Sequence, residues 1–325
     1  MPQVVPYTFD THVEAALFLK DAPVFALSDG TIRFPAGGEK VLEAHKGGLV
    51  TARYDAFSHR LLTGGEDGRV VATLPDRTLG ELGSAGRKWI TAVAGGPGGA
   101  VGYAAGRSAF VREAKGEARE FVHARTVEDV AFAPKGLRLA TARYDGANLF
   151  FAGTDAKPQE LDWKGPHTDV FFSPDGRFLV TVMQENALHG WRLEDGKHMR
   201  MTGYPAKVKS WSWSAKTKFL ATSGAPAAIL WPFSSKDGPM NKAPLELGTR
   251  GDTMVTAVAC HPSDDILAIG YADGMILAVR FADSKEALLR RGGSGGVTTL
   301  GWDKEGRFLA FGSDSGEAGV VDIAS

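Results

Sequence analysis

Residues 167–193 read HTDVFFSPDGRFLVTVMQENALHGWRL. Three runs rich in Phe, Val and Leu, namely Asp169–Ser173, Arg177–Met183 and Asn186–Trp191, are separated by the turn SPDG and the polar break QEN. Short β-favouring runs bounded by turn residues predict the strands of an antiparallel meander. The unit recurs along the whole chain. Its opening pattern is an apolar residue, two variable positions, a small or apolar residue, one variable position, then an aromatic or small apolar residue. That pattern begins again at Val13, Leu49, Ile90, Val127, His167, Val208, Val255 and Val297. Successive starts lie 36–47 residues apart, the spacing of one four-stranded propeller blade, roughly 40–45 residues.

Most starts lead into a turn such as APKG, SPDG, HPSD or DKEG, and then into a second strand such as LRLATA, RFLVTV or RFLAFG. A tight turn follows, carrying Asp29-Gly30, Asp67-Gly68, Asp145-Gly146 or Asp273-Gly274 in four repeats. Asp-Gly suits a hairpin because both residues tolerate positive φ. A third strand and a less regular fourth complete the unit. The eighth unit stops after its third strand, GVVDIA, while a spare β-rich segment, Val4–Phe9, precedes the first unit. The expectation is therefore a single all-β domain over residues 1–325, an eight-bladed propeller of four-stranded antiparallel blades. The N-terminal strand would complete the last blade and close the array, since an open one exposes strand edges and apolar faces. Pro6 is compatible with an outermost strand, which has one edge facing solvent. Seven blades is the alternative, because the Gly-rich turn of the third unit, ITAVAGGPGGAVGYAAG, could hide a distorted blade.

These repeats resemble the WD-repeat β-propeller family over nearly all of the chain. The resemblance implies a structural tetrad: a His before the first strand, a Ser or Thr on the second, an Asp in the turn and a Trp on the third. The second repeat offers His45, Thr63 and Asp67, with Thr73 where Trp is expected. The fourth offers His123, Thr141 and Asp145, with Phe151 there. Trp191 and Trp231 occupy the Trp position, and neither is followed by Asp. The repeats are degenerate members of that pattern.

Composition narrows the function. Lys+Arg number 37 and Asp+Glu 38, a net charge of −1, so no global field attracts phosphate backbones and nucleic acid is disfavoured. A lone cysteine, Cys260, excludes an internal disulfide and fits a reducing compartment. The first residues lack a charged region followed by an apolar run, and no stretch has the ~18 continuous apolar residues of a membrane span. A cytoplasmic, monomeric protein without membrane attachment is expected. The eight His residues are scattered without metal-ligand spacing, so no metal or cofactor is expected. Gly95–Gly99 and the GGSGG run at 292–296 lack the Gly-Lys-Ser/Thr ending of a phosphate loop and read as turns. The turn aspartates read as hairpin caps, and no catalytic residue is assigned.

Six tryptophans fall at strand positions and read as core. Trp89 instead precedes a first strand beside Arg87 and Lys88, and exposed Trp and Arg are enriched in binding hot spots. In a propeller, the loops entering first strands and those joining second to third strands emerge on one end, the narrow or top face. His12, Trp89, Arg107, Arg125, Tyr144, Lys207 and Met254 belong to those loops. They predict a docking surface for a protein or peptide, centred on Trp89, Arg125, Tyr144 and Lys207. The polar insertion SSKDGPMNKAP at 234–244 is a second candidate contact. The expected function is a non-catalytic interaction scaffold. Two alternatives stand beside it: an enzyme or ligand binder at the channel mouth, and nucleic-acid or nucleotide binding through Arg87, Lys88, Arg125, Arg143 and Lys207.

Overall fold

The computed structural model describes residues 2–324. The strand pairings whose register is described are all antiparallel, and each of the eight repeat starts falls within or shortly before an inner strand. Hydrogen bonding groups the described strands into seven sheets, six of four strands and one of six. The expected eight blades are thereby corrected to seven, counted as continuous hydrogen-bonded sheets. The difference arises at the fourth and fifth repeats, where Arg138–Phe151 and Gln159–Phe172 each run for 14 residues. Arg138–Phe151 pairs with Val127–Phe132 as far as Arg143, and with Gln159–Phe172 from Tyr144 onward. Gln159–Phe172 in turn pairs with Phe178–Met183. Asp145 and Gly146, with φ of 67° and 132°, turn the chain so tightly that no loop interrupts the ladder. The two repeats are thus one sheet. The Gly-rich turn of the third repeat is a single 3₁₀ turn, Pro97–Gly99, and that repeat forms a regular four-stranded sheet.

The chain divides into two compact units. One comprises the chain up to Ser28, Arg33–Val41 and everything from Gly203 onward. There Gln3–Thr8 pairs with Glu317–Asp322, in register from Gln3↔Asp322 to Thr8↔Glu317, so the N-terminal strand completes the C-terminal sheet as its edge. Tyr7 and Phe9 pack on the buried Phe25, with ring centroids 5.6 and 5.4 Å apart. The last repeat also meets the first through Thr298, whose hydroxyl donates to the Val13 carbonyl at 2.6 Å.

The other unit comprises Asp29–Ile32 and Leu42–Thr202. Its inner strands are tied by Arg53, which reaches past the small residues of Ala92–Gly95 to the Asp129 carboxylate at 2.9 Å. Asp129 also accepts the Val170 N–H at 2.9 Å. Burial pushes its carboxyl up to about 6, with Asp169 adding to the rise and Arg53 opposing it.

Each of four repeats buries a second-strand threonine completely: Thr63, Thr141, Thr181 and Thr222. A buried hydroxyl without a partner costs about 1–3 kcal/mol, and each repeat meets that demand differently. Thr63 bonds His45 Nε2 at 2.8 Å, while His45 Nδ1 bonds Asp67 at 3.0 Å. The triad forms although Thr73 replaces Trp, and the buried Thr73 hydroxyl has no partner among the described residues. Thr141 bonds His123 Nε2 at 3.0 Å, but His123 Nδ1 donates to the Phe121 carbonyl rather than to Asp145, which accepts the Gly165 N–H. The ring against His123 is Phe150, not Phe151, which is 46% exposed. In the fifth repeat His167 serves Thr181 from the start of the strand at 2.7 Å. In the sixth, Tyr204 takes the histidine's place. The Trp231 indole donates to the Tyr204 hydroxyl at 2.6 Å, and that hydroxyl bonds Thr222 at 2.7 Å.

Beside Thr181, His189 is fully buried, stacked on Trp163 at 4.1 Å and edge-on to Trp191 at 4.7 Å. Neither of its ring nitrogens has a hydrogen-bond partner among the described residues. Burial, helped by the nearby His198 and His167, pushes its pKa down to about 3.

Removing residues 1–10 strips the edge strand and the aromatic pair over Phe25; the melting temperature should fall by roughly 5–10 °C, and an unchanged thermal transition would refute the role of that strand. Tyr204→Phe leaves the Trp231 indole and Thr222 short of a partner, and should cost about 1–3 kcal/mol in urea unfolding. Between pH 6.5 and about 3 the unfolded chain binds a proton that folded His189 refuses, so stability falls as pH falls through that window. His189→Phe removes this linkage. Its stabilisation should be about 1–2 kcal/mol larger at pH 5 than at pH 8, as measured by unfolding curves at both.

Candidate functional site

Four adjacent loops of the unit containing Leu42–Thr202 carry the side chains singled out in the sequence. In the first, the Ala85 N–H donates to the Gly68 carbonyl at 2.8 Å and the Ile90 N–H to that of Gly65 at 3.2 Å. Ile90 is wholly buried, and this anchor holds its neighbour Trp89 outward at 55% exposure, beside exposed Arg87 and Lys88. The second loop is the turn Gly106–Arg107, where Gly106 takes φ 59°. A β-carbon at Gly106 would lie 3.9 Å from Lys88 Cδ, so the two loops are neighbours. The third loop is pinned to that turn. His123 and Val127 donate their N–H groups to the Arg107 and Gly106 carbonyls at 2.8 and 2.9 Å. Arg125 projects between them, its guanidinium 4.9 Å from the ring centre of Tyr144 on the fourth loop.

The structure therefore brings Trp89, Arg107, Arg125 and Tyr144 onto one continuous run of loops. Lys207, Met254 and His12 lie in the other compact unit, each half-buried, with His12 3.7 Å from Glu14. The insertion at 234–244 is pinned by turns: Gly238, Met240 and Lys242 donate to the Ser235, Asp237 and Pro239 carbonyls, and Pro239 is buried.

Beneath Arg125 and Tyr144 opens a cleft of about 510 Å³, whose walls include Val122, Phe150, Pro158 and Glu160. Val122 is 70% exposed and Tyr144 43%, so the cleft presents uncovered apolar surface at its mouth. At its wall His123 is held neutral by burial, which lowers its pKa.

The cations around the cleft fall into two kinds. Arg143 is consumed internally by Asn148, Asp162 and the Tyr144 and Asp145 carbonyls. Arg87, Lys88, Arg107 and Arg125 are exposed and form no ion pair among the described residues. Three of the nearby carboxylates are engaged within the chain: Glu120 accepts the Ser108 hydroxyl at 2.6 Å, Asp145 the Gly165 N–H at 3.0 Å and Asp162 the Arg143 guanidinium at 2.7 Å.

Among the described residues, no three His, Cys, Asp or Glu side chains converge as a metal site would require. Burial pushes the Cys260 thiol up to about 12, so it carries no thiolate near neutrality. Among the described residues, no helix is long and apolar enough to cross a membrane. Sequence reasoning missed Tyr204 as the tetrad's substitute for histidine. The signal was its spacing, four residues before Val208, as His45 stands before Leu49 and His123 before Val127.

Comparison with known proteins agrees with this architecture. Residues 258–325 match the family described as the anaphase-promoting complex subunit 4 WD40 domain. The chain is 26% identical over 195 residues to rat (Rattus norvegicus) WD repeat-containing protein 55, an alignment covering 58% of this chain and 49% of that protein. It is 24% identical to mouse (Mus musculus) telomerase protein component 1, over 56% of this chain and 7% of the relative. A third relative, chicken (Gallus gallus) WD repeat-containing protein 1, is 30% identical over 34% of this chain and 19% of its own length. The chain thus spans half or less of these curated relatives. The crystal structure of the computationally designed Ika8 protein superposes with a TM-score of 0.77 at 20% identity, over 97% of this chain and 98% of that one, which speaks to the fold alone. Repeats, strand topology and these matches together support a similarity to the WD-repeat β-propeller family.

Proposed function

We propose that this chain is a non-catalytic interaction scaffold that docks a protein or peptide on the loops bearing Trp89, Arg107, Arg125 and Tyr144. The observation that carries the reading is the contiguity of those loops, with Arg125 laid over Tyr144 at the mouth of a cleft lined by Val122 and Phe150. An Arg guanidinium held on an aromatic face is pre-organised for contact, and exposed Trp, Tyr and Arg are the residues on which binding energy concentrates. The relatives support a scaffold by name, since their printed names include subunits or components of larger assemblies. A rigid β scaffold with many loops suits that use, although fold alone does not assign it. The reading takes the chain to be monomeric and cytoplasmic, which the lone buried Cys260 fits. Lys207, Met254 and His12, which lie in the other unit, are proposed as partner contacts of that unit by itself.

Trp89→Ala and Tyr144→Ala remove exposed side chains and should leave the melting temperature within about 2 °C. Each should weaken recovery of native partners at least about tenfold in quantitative affinity capture. Equal recovery by wild type and both variants would place the docking surface elsewhere.

A further inference from the structure

The loop surface has a sign. Arg87, Lys88, Arg107 and Arg125 project from three consecutive loops without a carboxylate partner among the described residues, while Glu120, Asp145 and Asp162 are already engaged. Exposed cations that spend no charge on their own chain are available to a partner, and complementary charge governs which partner is accepted and how fast it arrives. Trp89, Tyr144 and Val122 alternate with these cations as uncovered apolar surface. Building on the docking role above, we infer that the partner is an acidic, extended peptide segment. Its carboxylates would pair with Arg107 and Arg125, and an adjacent apolar side chain would enter the cleft against Val122 and Phe150.

A nucleic acid also carries negative charge, and the geometry favours the peptide. Arg143, the best positioned to deepen the basic patch, has its donors taken up by Asn148, Asp162 and two backbone carbonyls. Phosphate-driven binding scales with the number of phosphates neutralised, and four such cations on a chain of net charge −1 offer little of it. Glu160 in the cleft wall would repel a phosphate backbone that followed the cleft downward. A peptide meets this arrangement with separate residues, acidic above and apolar or basic below.

The test uses fluorescein-labelled 12-residue peptides of one design, with Glu and Leu alternating, with Gln in place of Glu, and with Lys in place of Glu. A single-stranded 12-nucleotide DNA is the fourth probe. Anisotropy titration of the full chain should give saturable binding of the Glu peptide, with the Gln and Lys forms at least tenfold weaker. The Arg107→Glu, Arg125→Glu double variant should lose at least tenfold for the Glu peptide, and raising salt should weaken it further. Equal binding of the Glu and Gln peptides, no saturable binding of the Glu peptide, or tighter binding of the DNA each overturns the proposal. If the Glu peptide fails while Trp89→Ala and Tyr144→Ala still lose native partners, the docking surface stands and the acidic class falls. If those variants lose nothing either, the docking surface falls too.

Discussion

A threonine hydroxyl buried on the second strand of four repeats is the constraint on which much of this structure turns. Thr63, Thr141, Thr181 and Thr222 have no exposed surface, and a polar group so placed must be hydrogen-bonded. Every solution recruits a residue from just before the repeat's inner strand or its first position, and so ties the outer edge of one repeat to the body of the next. His45, His123 and His167 accept the hydroxyl proton on one nitrogen and donate the other to Asp67, the Phe121 carbonyl or the Trp163 carbonyl. Burial lowers the pKa of all three imidazoles, which keeps them in the neutral form this pattern needs. Tyr204 does the same work with a phenol whose pKa burial pushes up to about 12, far from neutrality.

The fifth repeat shows how far such a network can drift. Trp163 stands at the usual histidine spacing and His167 has moved to the strand start, so the imidazole approaches Thr181 from another side. His189 then sits between Trp163 and Trp191 with both nitrogens unpaired among the described residues. Stacking compensates part of the cost of burying it, and the remainder is paid in acid stability.

The loops over the fourth repeat draw their surface from the same scaffold. His123 is at once the partner of Thr141 and the root of the loop that carries Arg125. The tight Asp145-Gly146 turn that merges two repeats into one sheet also presents Tyr144. Structural anchors and candidate contacts are neighbours in sequence, which is why Trp89 and Tyr144 can be exposed without the loops being slack.

Strand periodicity and turn chemistry were legible from the residues alone. The recurring apolar pattern, the Asp-Gly turns, the spare Val4–Phe9 strand and the positions of Trp89, Arg125 and Tyr144 all follow from local spacing, because alternation and turn residues act over a few positions. What only the tertiary structure decided involves partners far apart in the chain. Arg53 meets Asp129 across 76 residues and Trp231 meets Tyr204 across 27, and neither pairing leaves a local signature. The sheet count belongs here too. Eight repeats make seven continuous sheets because hydrogen bonding runs on through Tyr144–Gly146, and whether a ladder breaks at a turn depends on backbone geometry that residue type does not specify. So does the charge of the loops bearing Trp89 and Arg125: Arg143 and Arg125 look alike in the sequence, and Asp162 pairs with the first while Arg125 has no carboxylate partner among the described residues.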